Sequence, residues 1–526
     1  MTRSHRPRRI TRWGVACLAL LAIAISVWQL ERARQGVGIT TERVGATPVT
    51  VFRPVQPSGP SPVVLIAHGF AGSQQLMQPF ALTLARNGYV AVTFDFPGHG
   101  RNATPMTGGL ADQNESLRVL LKAMGEMGAY ARRLADAGPV PGRYAVVGHS
   151  MASDIIVRHA QAHAEVQASV GVSLFAPSID ATTPADSPRN LLVIDGGLEP
   201  QLMAAEALRV VGRVAGPAAV QDQTYGRFAD GTARRATLSP GVEHIGVLYS
   251  AHTLIESLAW LDEAFGRPPA HRPFIDARGP WLGLLLLGVV AVTWPLSNRL
   301  PRVDRSSPSA AATQPRPGWR AWRRQSVLAL APAVLTPLLL WKVPTGFLPL
   351  LLGDYLMLHF GLYGALTLAG LTWMGRELPR ANALALGLAV VLASAWALLA
   401  IGAPIDRYVF NVRPESVRLP LIAALCLGTL PYFVADEWFT RGPGAAPGAY
   451  FVTKLCFLLS LVGAIALNPQ RLFFLAIIVP AILLLFVVYG LFSRWMGRAS
   501  GHPAVAAVAN ALAFSAFIAV IFPLVA

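Results

Sequence analysis

Cysteine is almost absent: there are three in 526 residues, Cys17, Cys426 and Cys456. All three fall inside apolar runs, so no disulfide framework staples a soluble part and no Cys/His set has metal-ligand spacing. Neither a metal nor a cofactor is expected, and cysteine carries no information on the redox compartment. Charge is scarce as well, at 14% of residues, and Lys and Arg outnumber Asp and Glu by 44 to 28, for a formal charge of +16. A chain this basic could bind nucleic acid. Its basic side chains, however, are nearly all arginine and cluster beside long apolar runs instead of interleaving with aromatics on a soluble face. Nucleic acid is therefore not an expected partner; membrane lipids are, since arginines gathered at the cytoplasmic ends of apolar runs mark a polytopic membrane protein.

Hydrophobic residues, by contrast, make up 53% of the chain. The segment 1–12 is basic, with five arginines, and Trp13 to Leu30 supplies about eighteen apolar residues, enough to span a bilayer core. A cleavage-like Ala22-Ile23-Ala24 lies within the run itself, so the expectation is a retained anchor with its arginines in the cytoplasm. Beyond Pro280 the segment 280–526 is predicted to hold eight further helical spans, near Trp281–Leu296, Val327–Trp341, Tyr355–Trp373, Ala381–Ile401, Leu419–Val434, Tyr450–Leu467, Leu472–Phe492 and Pro503–Val525. The connection Asn298 to Gln325 holds seven arginines and one aspartate. That charge places it inside and the domain before it outside. Arg407, Arg413 and Arg418 fall in a predicted outside loop and run against the rule. Gly346 to Gly353 reads as interfacial or re-entrant, and Asp354, His359 and Lys454 are the ionisable groups that stand out within apolar runs.

Between these parts, residues 44–266 have a soluble composition in which β-rich runs alternate with helical ones, the pattern of a mostly parallel sheet. Strands are predicted at Val49–Phe52, Val63–Ala67, Val90–Phe94, Tyr144–Val147, Ala168–Leu174, Leu191–Ile194 and Ala236–Leu238. Helices are predicted at Gln74–Ala85, Glu115–Ala137, Pro200–Val211 and Val247–Phe265. The fold class expected is α/β, joined to an all-α transmembrane domain.

The stretch that organises this domain is Tyr144-Ala145-Val146-Val147-Gly148-His149-Ser150-Met151-Ala152-Ser153. Four apolar residues run into a Gly-x-Ser-x-small turn, and a helical pattern follows at once. A serine on so sharp a turn needs small neighbours, here Gly148 and Ala152, and has its hydroxyl lifted above the sheet edge. The stretch resembles the nucleophile elbow of the α/β-hydrolase family, of dienelactone hydrolase and serine esterase type, with Ala152 where the pattern usually has a second glycine.

That resemblance implies an α/β-hydrolase fold over about 220 residues, and a serine hydrolase whose remaining parts follow in family order. Serine is a weak nucleophile near neutral pH and needs a base, a group to orient the base, and donors for an oxyanion. The strand-end turn Asp195-Gly196-Gly197-Leu198-Glu199-Pro200 resembles the turn that carries the family's acid. Glu199 matches by its spacing from Gly196, with Asp195 at the strand end as the alternative. His244, in a loop after the last strand and before the last helix, matches the family's base, with His252 the weaker alternative. Ala67-His68-Gly69-Phe70-Ala71-Gly72-Ser73 resembles the family's His-Gly loop, which implies an oxyanion hole from the N–H groups of Phe70 and Met151. Asp95-Phe96-Pro97-Gly98-His99-Gly100-Arg101 resembles the turn that shapes the pocket floor.

The interval Ala176 to Asn190 leaves no room for a helical lid, although an insertion at 102–114 could border the pocket. The expected function is cleavage of an ester or acyl bond in a small-molecule or lipid-like substrate, through an acyl-enzyme, by a protein of the bacterial inner membrane with its hydrolase domain outside the cytoplasm. Acyl transfer by the same residues, or a non-enzymatic transporter or scaffold with a hydrolase-like binding domain, are the competing readings.

Overall fold

A computed structural model describes residues 5–109, 112–303, 318–319, 322–376 and 380–526. Most of the arginine-bearing connection 298–325, and residues 110–111 of the insertion at 102–114, therefore lie outside the described residues. The chain divides into two compact units. One comprises Ile25–Gly283, Ile405–Asn411 and Pro523–Ala526, and the other Met1–Ala24, Leu284–Pro404 and Val412–Phe522.

The first unit is built on an eight-stranded sheet: β1 Val37–Val44, β2 Thr47–Pro54, β3 Val63–Ala67, β4 Val90–Phe94, β5 Tyr144–His149, β6 Val166–Val172, β7 Leu191–Gly196 and β8 Arg234–Ser239. Their order is β1-β2-β4-β3-β5-β6-β7-β8. From β4 onward every pair is parallel, and the first two strands join antiparallel at one edge. This is the α/β-hydrolase sheet. Parallel strands need crossover helices, which cover both faces, so each central strand is apolar throughout instead of alternating. In β3, for example, Val64 and Ile66 enter one core while Val63, Leu65 and Ala67 enter the other. Helices α2 (Gln78–Arg86) and α6 (Ala251–Ala264) contribute to the first core, and α3 (Gln113–Ala135) and α4 (Met151–Ala162) to the second. Asp112 fixes the start of α3 by accepting the Glu115 N–H at 2.9 Å. Helix α5, Gln201–Ala215, follows β7.

Seven of the eight strands are where the apolar runs predict them. The edge strand β1 is missed because half of its residues, Val-Gly-Ile-Thr-Thr-Glu-Arg-Val, are polar and none is buried. Its hairpin partner β2 supplies what its own sequence lacks.

The second unit is helical. Among the described residues, eight helices are long and apolar enough to cross a membrane: Thr11–Arg32, Gly279–Ser297, Gly353–Trp373, Ala383–Tyr408, Ser416–Arg441, Ala449–Leu467, Pro469–Ser500 and Pro503–Ile521. The run expected near Val327–Trp341 also forms a helix, but its apolar stretch, Gln325–Leu340, is shorter than those eight. No helix forms over 346–352. That loop is held by Asp354, whose carboxylate accepts the N–H groups of Gly346 and Phe347, a structural use for an otherwise costly charge. Lys454 is 5% exposed and pairs with Asp436 at 2.5 Å. His359 lies between Tyr355 and Ser460, 3.4 and 3.2 Å from their hydroxyls.

Candidate active site

Ser150 follows β5 directly and caps α4 with φ 53° and ψ −116°, a conformation in which a non-glycine residue is strained. The turn is possible because its neighbours are small. A Cβ on Gly148 would stand 2.7 Å from the Ala152 carbonyl oxygen. The strain leaves the Ser150 hydroxyl at the carboxyl edge of the sheet, where the ends of β3, β4, β6, β7 and β8 also meet.

Two other loops at that edge complete a hydrogen-bonded line. His244 Nε2 lies 2.9 Å from Ser150 Oγ, and His244 Nδ1 lies 2.6 Å from Glu199 Oε1. With Nδ1 donating to the carboxylate, Nε2 is left to accept the Ser150 proton. The second Glu199 oxygen accepts the Gly196 N–H at 2.6 Å and the Ser173 hydroxyl at 2.9 Å. Burial pushes the Glu199 carboxyl up, but the hydrogen bonds from His244, Gly196 and Ser173 outweigh it and hold the group below its ordinary range. It is a charged, fully bonded carboxylate beside the ring.

Asp195 stands apart from this line. One of its oxygens accepts the Leu174 N–H at 3.1 Å, and burial, reinforced by the charge of Glu199, pushes its carboxyl up to about 7. His252 is elsewhere too, with its ring 3.2 Å from the Thr237 hydroxyl.

The residue between Gly148 and Ser150 has a role that sequence reasoning missed. His149 Nε2 donates to the His244 backbone carbonyl at 2.9 Å, and the two rings sit 4.8 Å apart. Burial, with the neighbouring His244, drives His149 down to about 3, so it is a neutral strut that ties the elbow to the histidine loop. Ser173 was missed as well. The position after β6 offers no motif, and only its φ of 51° sets it apart.

Gly69 shows why the His-Gly loop needs glycine, since a Cβ there would lie 3.1 Å from Ser150 Cβ and 2.9 Å from His149 Nδ1. The loop therefore passes directly against the nucleophile turn. His68 braces it, accepting the Phe96 N–H on Nε2 at 3.1 Å and donating from Nδ1 to the Gly69 carbonyl at 2.8 Å. Met151 is the first residue of α4, where a backbone N–H has no acceptor within the helix.

The turn Asp95–Arg101 is held from unexpected quarters. Asp95 accepts the N–H groups of Gln74 and Arg101 at 2.7 and 3.1 Å. Arg101 in turn reaches Asp406 at 3.0 Å and the Asn411 side chain at 3.1 Å, while the Asn411 N–H donates to the Ser73 hydroxyl at 2.9 Å. Further along, the Leu524 N–H donates to Gly98 and the Leu524 carbonyl accepts the Met106 N–H, both at 2.9 Å. Segments 405–411 and 523–526 thus belong to the same compact unit as the sheet. Arg407 of the first of these pairs with Glu31 at 2.6 Å. In the helical unit, Arg418 is buried and donates to the Ala519 and Phe522 carbonyls. Both arginines therefore have structural partners.

Ser150, His244 and Glu199 thus form one hydrogen-bonded line at the carboxyl edge of an α/β-hydrolase sheet. The hydrolase unit is an α/β hydrolase by fold. Residues 58–225 match the family model described as serine aminopeptidase, S33. No curated protein matches the chain. Among solved structures, the chain is similar to a predicted CIB-like hydrolase from Thermoplasma acidophilum, at 15% identity over 43% of this chain and 99% of that one, with a TM-score of 0.34. It is also similar to dienelactone hydrolase from Anabaena variabilis, at 16% identity over 43% and 98%, with a TM-score of 0.29. A third is a bacterial membrane phospholipase A, at 14% identity over 47% and 92%, with a TM-score of 0.30.

Proposed function

We propose that the protein is a membrane-anchored serine hydrolase that cleaves an ester or acyl bond through an acyl-enzyme on Ser150. The observation that carries this reading is the unbroken line from Ser150 Oγ to His244 at 2.9 Å and on to Glu199 at 2.6 Å. As Ser150 Oγ attacks the carbonyl carbon, its proton passes to His244 Nε2, and Glu199 stabilises the imidazolium that results. The N–H groups of Phe70 and Met151 receive the oxyanion, each such donor being worth about 3 kcal/mol of barrier. His244 then gives its proton to the leaving alcohol or amine. Water, deprotonated by the same ring, attacks the acyl carbon and frees Ser150.

The eight apolar helices support an integral membrane protein. The arginine clusters, read by the positive-inside rule, favour a bacterial inner membrane with the hydrolase unit outside the cytoplasm. The deciding experiment is a fluorophosphonate probe applied to membranes that carry the whole chain. Wild type is expected to label and Ser150→Ala to remain dark. An unlabelled wild type would leave the unit as a binding module and end the enzymatic reading.

A further inference from the structure

Between Val37 and Phe265, seven large apolar side chains are exposed among the described residues: Val55, Phe175, Leu198, Leu202, Val220, Ile245 and Ile255. Scattered singly, such residues carry no message. Four of the seven, however, sit on the loops that build the candidate site. Phe175 follows Ser173, the donor to Glu199, and its own backbone N–H is tied to Ser153 at 3.2 Å. Leu198 precedes Glu199, and its N–H donates to the Val242 carbonyl at 2.9 Å. Leu202 lies in the first turn of α5 just beyond, and Ile245 follows His244. Their exposures are 53% for Phe175, 67% for Leu198, 68% for Leu202 and 40% for Ile245. The loops that carry them are cross-linked by the Glu199–His244 and Glu199–Ser173 hydrogen bonds, so the four belong to one rim at the carboxyl edge of the sheet.

The same edge is pinned by residues that follow directly on apolar helices. Asp406 lies in the last turns of Ala383–Tyr408, and Leu524 comes three residues after Pro503–Ile521. Both hold the loop Gly98–Met106 through the contacts already described. Earlier in the chain, β1 begins five residues after the apolar helix Thr11–Arg32 ends. The segments that hold this loop are thus continuous in the chain with apolar helices, which makes lipid the apolar phase the proposal considers.

We propose that Phe175, Leu198, Leu202 and Ile245 form an acyl-chain and lipid-contact rim, and that the preferred substrate is a long-chain ester or acyl compound held in a lipid surface. This rests on the serine-hydrolase reading and specifies its substrate class. With no helix over the site between β6 and β7, the rim lies open, and an acyl chain passing from lipid to Ser150 stays in contact with apolar side chains instead of water. Burial of side chains of this size against an acyl chain is the source of the selectivity.

The test uses the whole chain in phosphatidylcholine nanodiscs with two ester probes, a soluble p-nitrophenyl acetate and a long-chain p-nitrophenyl palmitate dissolved in the lipid. The quantity read is the ratio of kcat/KM for the long probe to that for the short one. In the variant Phe175→Ser/Leu198→Ser/Leu202→Ser/Ile245→Ser this ratio is expected to fall at least about tenfold. The milder pair Leu198→Ala/Leu202→Ala is expected to lower it in the same direction, which guards against a quadruple variant that folds poorly. Val220→Ser/Ile255→Ser, which removes exposed apolar residues away from the site, is expected to leave the ratio as it is. An unchanged ratio in both rim variants, or an equal fall in the Val220/Ile255 control, would overturn the rim. Fluorophosphonate labelling in the same discs separates the two levels: labelled protein with no chain-length effect sinks the rim alone, whereas unlabelled wild type sinks the hydrolase reading beneath it.

Discussion

Two carboxylates four residues apart compete for one imidazole, and their surroundings assign them opposite states. Glu199 is charged and accepts from His244, Gly196 and Ser173. Asp195 is buried beside it with its carboxyl raised to about 7. Glu199→Gln should therefore lower kcat by about 10³–10⁴-fold, since an amide cannot stabilise an imidazolium. Asp195→Asn keeps an acceptor for Leu174 and should change kcat by only a few-fold; the reverse ranking would make Asp195 the orienting acid. The raised carboxyl also has a stability signature. From the ordinary aspartate range near 4 up to about 7, the folded protein retains a proton that the unfolded chain has released. Asp195 thus makes stability fall as pH rises across that window, and above it the loss is complete. Melting curves from pH 4 to 7.5 should show Asp195→Asn gaining on wild type as pH rises, and a pH-independent difference would contradict the assignment. At this scale the sequence was legible where a spacing carried the information, as for Ser150, Glu199 and His244. His149 and Ser173 were not legible, because each acts by touching a loop distant in the chain, and no local pattern marks such a contact.

At the scale of elements, apolar run length located the buried strands well. A central parallel strand must be apolar on both faces, and that leaves a plain imprint. The edge strand β1 leaves none, because it buries little and borrows its register from β2. The loops were legible as turns but not as to what holds them. Gly98 has φ 77°, and a Cβ there would collide with the Leu524 carbonyl oxygen. Gly98→Ala should therefore break the pairing of Leu524 with Gly98 and Met106. Each buried backbone group left without a partner costs about 1–3 kcal/mol. The expected result is a lower melting temperature together with a several-fold loss of kcat/KM on a short ester. Gly125→Ala, at a helix position where a Cβ meets nothing within 4 Å, is the control and should behave as wild type.

For the whole molecule, the arginine pattern predicts that the sheet-bearing unit lies outside the cytoplasm. Val220 is 51% exposed on that unit and away from the site, so Val220→Cys provides a reporter. In intact spheroplasts a membrane-impermeant maleimide should label this cysteine above the level set by wild type. Labelling only after the membrane is broken would invert the topology. The division of the chain was only partly visible beforehand. Composition separates a soluble stretch from an apolar one, but it gives no sign that 405–411 and 523–526 return to the sheet, since polar loops between helices look alike whatever they bind.

That return sets a schedule for biosynthesis. The ribosome finishes the central β-strands early, yet the residues that clamp Ser73 and Arg101 emerge only with the third of the long apolar helices that follow, and those that pair with Gly98 and Met106 only after four more beyond them. At about 5–20 residues per second, translation from residue 266 to residue 526 takes on the order of tens of seconds. Throughout that interval the chain has Ser150 but not the segments that hold the loop Gly98–Met106. A chain that stalls before its last helices is thus left without the clamps, so under the proposed function activity depends on the last helices having been made.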